Sequence, residues 1–103
     1  MQQTLKGVLD PLILAVLAEG PLHGYAVIEE LKARSGGELD LPEGTVYPAL
    51  HRLERRGLLR SAWRREEGRR RRIYRLTASG RRELTSKTQE WRTFARVVEG
   101  VLP

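Results

Sequence analysis

The sequence contains no cysteine, which removes disulfides, thiolate nucleophiles and Cys-ligated metals. Histidine is nearly as scarce, with His23 and His51 alone. No Gly-rich phosphate loop or metal-ligand cluster accompanies them. Nothing converges as acid, base and nucleophile, so neither catalysis nor a cofactor or metal is expected. Long apolar runs are also missing. The longest, Leu12-Ile13-Leu14-Ala15-Val16-Leu17-Ala18, is far too short to span a bilayer, so no membrane partner is expected. It follows Asp10-Pro11 and lacks a basic flank with a cleavage site, so it does not read as a signal peptide. A cytoplasmic location is the expectation, and the lack of cysteine is compatible with it.

What the chain does have is arginine, and the arginine is clustered. The formal net charge is +6 over 103 residues. Between Arg52 and Arg82 thirteen arginines face only Glu54, Glu66 and Glu67, while the rest of the chain carries six basic and ten acidic groups. A composition-biased genome would spread arginine along the chain. One strongly basic segment on a mildly acidic body is instead the electrostatic footprint of a protein that meets a polyanion.

Asp10-Pro11 opens a first helix, with Asp as N-cap and Pro in the first turn, that runs to Glu19 and is apolar nearly all round. In so small a protein, burial on most sides suggests a partner subunit. Residues 4–9 add a turn or an arm. A second helix covers about residues 24–35, with Tyr25, Ile28, Leu31 and Lys32 on one side and Glu29, Glu30 and Arg34 in water. Gly36-Gly37 closes it.

The third helix, from residue 43 to about 56, is the most informative segment. Val46, Ala49, Leu50 and Leu53 fall at i, i+3, i+4 and i+7 and form one buried stripe. Thr45, Tyr47, Pro48, His51, Arg52 and Arg55 fall on the other side. Hydroxyl, aromatic, imidazole and guanidinium groups on one face suit base edges and phosphates in a DNA groove. Pro48 is expected near the first turn, where a missing N–H costs least. Two helices joined by a turn, the second with a polar reading face, form the helix-turn-helix pattern. Tyr47 has an alternative role as a half-buried packing residue, and His51 is as well suited to a phosphate or to solvent as to a base.

A hairpin follows. Leu59, Ser61 and Trp63 alternate with Arg60, Ala62 and Arg64; Arg72, Tyr74 and Leu76 alternate with Ile73 and Arg75. Its turn lies around Glu66-Glu67-Gly68, flanked by Arg64-Arg65 and by Arg69, Arg70, Arg71 and Arg72. This is a wing with arginines at its tip, and Trp63 reads as a strand-packing residue. Arginines also blunt exposed strand edges, but six around one turn exceed that need. Thr77 caps a last helix over about residues 78–101. Leu84, Thr88, Trp91, Ala95, Val98 and Leu102 step by four and three, the spacing of a coiled-coil seam, which Phe94 and Val97 widen. This helix is expected to pack on a second copy rather than fold back over its own subunit.

Together these segments resemble the PadR family of bacterial transcriptional regulators. The resemblance is carried by Leu22-His23-Gly24-Tyr25, by Glu43-Gly44-Thr45-Val46-Tyr47-Pro48-Ala49-Leu50, and by Arg52-Leu53-Glu54 with Gly57-Leu58. The Gly-Arg-Arg-Arg run with Tyr74 and Leu76-Thr77-Ala78-Ser79-Gly80 complete it. It spans nearly the whole chain. It implies a mainly α fold with a two-stranded β wing: a winged helix-turn-helix over residues 1–76 and a C-terminal dimerisation helix over 77–103. The short last helix resembles that of the smaller subfamily.

The resemblance further implies a homodimer that acts, usually as a repressor, on double-stranded DNA with inverted-repeat character, and release by a small planar aromatic molecule in many members. Tyr47 takes the place of the family's recognition-helix tyrosine, and Arg69, Arg70 and Arg71 that of its basic wing. Trp91 takes the place of a tryptophan that stacks on planar effectors in some members. Interface packing suits Trp91 equally. The expected dimer interface is Leu9, Leu12, Ile13 and Val16 of the first helix with Leu84, Thr88, Trp91, Ala95, Val98 and Leu102 of the last. The rival reading is a winged-helix protein-interaction or RNA-binding module, against which the polar face with Tyr47 and His51 speaks.

Overall fold

Four helices and three strands follow one another through residues 7–103, the part of the chain that this computed structural model describes. They are α1 (Leu9–Leu17), β1 (Leu22–His23), α2 (Gly24–Arg34), α3 (Glu43–Arg55), β2 (Leu59–Glu66), β3 (Arg69–Leu76) and α4 (Ala78–Val101). Half of the expected arm, residues 4–6, lies outside the described residues.

α1 begins slightly ahead of the expected opening. Val8 occupies the N-cap without a side-chain bond, and Asp10 lies in the first turn. The Asp10 carboxylate serves a tertiary contact instead, accepting from Arg52 Nη2 at 2.6 Å. Ile13, Leu14, Val16 and Leu17 are buried within the protomer. Ile13 and Val16, expected at a dimer interface, thus belong to the chain's own core, whereas Leu9 and Leu12 are only half-buried against it.

The buried side of α2 also differs from expectation. It is Gly24, Val27, Ile28 and Leu31, and Tyr25 stands 53% exposed. The phase is set by Gly24, against which the Tyr47 ring lies. A Cβ there would come within 2.5 Å of Tyr47 Cε1. A count of apolar side chains passes over a glycine that is buried because something packs on it.

α3 buries the expected stripe of Val46, Ala49, Leu50 and Leu53. It starts at Glu43, so Pro48 falls in the second turn rather than the first, and the Gly44 carbonyl loses the intrahelical donor it would otherwise have. At the far end Gly57 adopts φ +76. Its N–H donates to the Glu54 carbonyl at 2.9 Å and that of Leu58 to Leu53 at 3.0 Å. This pair of bonds is a Schellman closure, which glycine permits at no steric cost. The closure turns the chain directly into β2.

The hairpin pairs Leu59 with Leu76 through to Glu66 with Arg69. Glu67 and Gly68 form the two-residue turn, both with positive φ, as a type I′ hairpin requires. The sheet has a third strand where two were expected. β1 adds to the other side of β3, with Leu22 opposite Tyr74 and His23 opposite Ile73, giving the order β1-β3-β2. Two residues are too few to show an alternation in sequence. As the central strand, β3 buries both Ile73 and Tyr74, one on each face.

Thr77 caps α4 as expected: its hydroxyl oxygen accepts from the Gly80 N–H at 3.0 Å and its hydroxyl donates to the Gly57 carbonyl at 2.7 Å. The C-terminal half of α4 does not fold back. Trp91, Phe94, Val97, Val101 and Leu102 are all more than half exposed, and the molecule measures 55 × 28 × 20 Å. The architecture is a winged helix-turn-helix carrying a projecting C-terminal helix.

Candidate nucleic-acid interface

The exposed side of α3 runs opposite its core stripe and carries Pro48, His51, Arg52 and Arg55 in the open, with Thr45 and Tyr47 half-buried. Tyr47 takes the packing role its position allowed and keeps its hydroxyl at the cleft between α3 and the wing. Its ring packs on the core at Gly24, and burial, with a smaller push from Glu43, raises its hydroxyl above the ordinary 10.0. The hydroxyl is therefore a neutral hydrogen-bonding group at physiological pH. Gly24→Ala would push the ring off its seat and leave the core stripe in place. Its expected result is a loss of about fivefold in affinity for duplex DNA, the worth of one displaced hydrogen bond. The check is fluorescence anisotropy beside a melting curve that moves little.

Arg52 is held differently from Arg55. It pairs with Asp10 on α1, while Arg56 reaches Asp10 at 3.9 Å and Glu83 on α4 at 3.4 Å. These ion pairs fasten the C-terminal half of α3 to α1 and α4, and they turn Arg52 away from the role of a free phosphate contact.

A second network sets the wing against α3. Ser61 donates to Glu54 Oε2 at 2.7 Å, Arg72 Nε donates to Ser61 Oγ at 2.8 Å, and Arg72 Nη2 lies 3.6 Å from Glu54 Oε1. The chain Glu54–Ser61–Arg72 thus links the recognition helix to both wing strands. Beneath it Tyr74 is 1% exposed, and its hydroxyl is raised above 10.0 chiefly by burial.

The wing arginines divide into two sets. Arg69 and Arg70 stand in solvent, opposite Glu66 and Arg65 on the neighbouring strand, whereas Arg71 is half-buried and turned to His23. Trp63 is not a packing residue. It is 53% exposed, with the guanidinium carbons of Arg70 and Arg72 at 4.9 and 5.6 Å from its ring centroid. A cleft of about 320 Å3 between wing and helices joins these groups to α3, lined by His23, Tyr25, Tyr47, Trp63 and Arg69 to Arg72 among others. Helix tyrosine and wing arginines, 22 or more positions apart in sequence, therefore share one basic, aromatic face. Sequence reasoning missed His23, Tyr25 and Trp63 here. The signals available were the Leu22-His23-Gly24-Tyr25 motif and the alternation of Trp63 with arginines.

Apart from this cleft, a trough of about 570 Å3 runs between α1 and α4, lined by Leu12, Ala15, Leu84, Thr88, Trp91 and Phe94 among others. Trp91 is 56% exposed, and its ring lies 6.2 Å from that of Phe94. Leu84, Thr88, Ala95 and Val98 are half-buried along the same side of α4. Among the described residues no helix is long and apolar enough to cross a membrane, and no acidic, histidine or cysteine cluster is placed to hold a metal.

The profile of the transcriptional regulator PadR-like family matches residues 13–86. A transcriptional regulator of Mycobacterium tuberculosis, Rv3488, is 43% identical over 88 residues, covering 85% of this chain and 79% of its own. A solved transcriptional regulator from Clostridium thermocellum superposes with a TM-score of 0.89 at 30% identity, covering 98% of this chain and 99% of that one. A PadR family transcription regulator from Clostridium difficile superposes with a TM-score of 0.83 at 35% identity, over 94% and 100% of the two chains. With its fold, its basic face and these relatives in agreement, the chain belongs to the PadR-like family of transcriptional regulators.

Proposed function

We propose that the protein is a homodimeric repressor that reads an inverted-repeat operator in double-stranded DNA, with residues 1–76 binding DNA and residues 77–103 dimerising. The observation that carries this reading is the shared face of α3 and the wing, where Tyr47 lines one cleft with Arg69, Arg70 and Arg71. α3 enters the major groove with Thr45, Tyr47, Pro48 and His51 towards base edges and Arg55 towards the backbone. Arg52, committed to Asp10, orients the helix. Arg69 and Arg70 meet phosphates or an adjacent minor groove, where narrow A·T stretches attract guanidinium. A dimer seated over a promoter represses by excluding the polymerase.

The dimer forms along α4 through Leu84, Thr88, Trp91, Ala95, Val98 and Leu102, with Leu9 and Leu12 of α1 at its edge. Symmetry then sets two α3 helices about 34–36 Å apart, one turn of DNA. The trough beside Trp91 suits a planar aromatic effector, which stacks on exposed indole. A ligand that shifts α1 against α4 acts on α3 through Asp10, Arg52, Arg56 and Glu83, and it lowers DNA affinity to the extent that it prefers the shifted arrangement.

The test is binding to a fluorescent duplex carrying the protein's own upstream region, against scrambled competitor and matched RNA, across salt. Tight, competitor-resistant binding that weakens at least about 100-fold between 50 and 200 mM salt is expected, since several phosphates are neutralised per dimer. Equal, weak binding to every duplex, or a preference for RNA, would overturn the reading.

A further inference from the structure

At His23 two N–H donors meet a single imidazole. Its Nδ1 accepts from the Ala26 backbone N–H at 3.2 Å and so caps α2, while Arg71 Nη1 lies 2.6 Å from its Nε2. A neutral imidazole offers one lone pair and one N–H. With the lone pair spent on the cap, Nε2 carries the hydrogen and faces another donor. The other tautomer satisfies Arg71 and sets an N–H against Ala26. An imidazolium is a donor on both sides. In every protonation state, donors converge where an acceptor is missing. The neighbouring Arg72 has a carboxylate, Glu54, within 3.6 Å; Arg71 has the imidazole in its place.

This mismatch lines the cleft between α3 and the wing. Arg70 lies over the Trp63 ring on the wing side, and Tyr25, 53% exposed, stands at the start of α2. Arg69, Arg70, Arg71 and Arg72 line the same cleft, so an anionic oxygen suits the missing acceptor best, and its surroundings are rings that pack on sugars or bases. A helix in the major groove and a wing at the minor groove have one sugar–phosphate strand between them.

We propose that this cleft seats that strand: a phosphate oxygen accepts from both His23 Nε2–H and Arg71 Nη1–H, and Tyr25 and Trp63 pack on the adjoining sugars. The inference rests on the DNA-binding reading and adds to it a backbone clamp that carries no sequence information and fixes the register of α3.

His23→Ser and Arg71→Gln test the clamp. Serine keeps a side-chain acceptor for the α2 cap and removes the imidazole. Each variant is measured by anisotropy on the upstream-region duplex and on an unrelated duplex, across salt, with a melting curve as the check on folding. Arg71→Gln is expected to weaken both duplexes by roughly five- to tenfold and to lower the salt slope by about 1. His23→Ser is expected to weaken both alike, leaving the ratio between them unchanged. Tyr25→Ala, expected to weaken both duplexes alike, and a Trp63 emission change on DNA binding, read in a Trp91→Phe background, give a second readout at exposed positions. Folded His23→Ser and Arg71→Gln proteins with unaltered affinity and slope, while Tyr47→Ala loses binding, would overturn the clamp and leave the DNA-binding reading standing. A parent protein that binds neither duplex would remove both.

Discussion

Gly80→Ala is expected to lower the melting temperature by on the order of 10 °C, the largest loss from an added methyl at any of the described glycines. The cause is backbone contact. Gly80 sits in the first turn of α4, at the point where the helix crosses the α3–β2 connection, and it is buried. A Cβ there would penetrate the Leu58 carbonyl oxygen and approach Leu76 Cδ1 to 2.7 Å. The leucine can turn; the carbonyl cannot, because it accepts the Thr77 N–H at 3.1 Å while Thr77 caps the same helix. Relief requires α4 to lift away from the body, which opens the contacts of Leu58 and Leu76 in the core. Overpacking of this kind costs about 1–3 kcal/mol, and the cap bonds at Thr77 weaken with it. Gly100→Ala is the matched control. It lies in the same helix with nothing within 4 Å of the added carbon, so helix propensity alone acts and stabilises by up to about 1 kcal/mol. Opposite signs at two glycines of one helix, read by thermal unfolding at a fixed protein concentration, separate packing from propensity. Equal effects would mean that α4 does not cross the turn so closely.

Local periodicity made much of this fold legible. The stripe Val46, Ala49, Leu50 and Leu53, the Thr77 cap and the hairpin turn all depend on neighbours within a few positions, and each was found where the spacing put it. What escaped depends on partners far along the chain. Asp10 reads locally as an N-cap, but Arg52, 42 positions away, claims its carboxylate. His23 bridges 48 positions to Arg71, and nothing around His23 announces this. Tyr25 was placed inside because apolar counting gives no weight to Gly24, whose burial follows from Tyr47 on another helix. The expected first-helix interface took in Ile13 and Val16 because an all-round apolar helix shows how much must be covered and leaves open what covers it. The protomer buries those two and leaves Leu9 and Leu12 partly open. The basic face was legible as a charge cluster, yet which arginines are held follows from distant partners, His23 for Arg71 and Ser61 with Glu54 for Arg72.

Phe94→Glu is expected to hold the protein monomeric at micromolar concentration, where the proposed dimer would form, and to weaken binding to the proposed two-half-site operator by about 10²- to 10⁴-fold. Phe94 is 59% exposed in the protomer, at the rim of the trough and 6.2 Å from Trp91. A glutamate there remains solvated in the isolated chain, so the winged helix should fold as before. In the dimer the same residue enters an apolar seam twice, once from each copy, and an unpaired buried carboxylate costs several kcal/mol. The effect on DNA is larger than any lost contact, since Phe94 lies on α4, away from the basic cleft. A dimer pays once in translational and rotational freedom for two half-sites; a monomer pays for each, and the second half-site gains nothing from the first. Affinity for a single half-site and the salt slope per protomer should therefore stay near those of the parent, while the full operator loses its advantage. Sedimentation velocity gives the oligomeric state, and anisotropy on one- and two-half-site duplexes gives the rest. A monomer that still holds the full operator as tightly as the parent would mean that the two α3 helices do not act as a linked pair, and a variant that stays dimeric would place the interface elsewhere than the exposed face of α4.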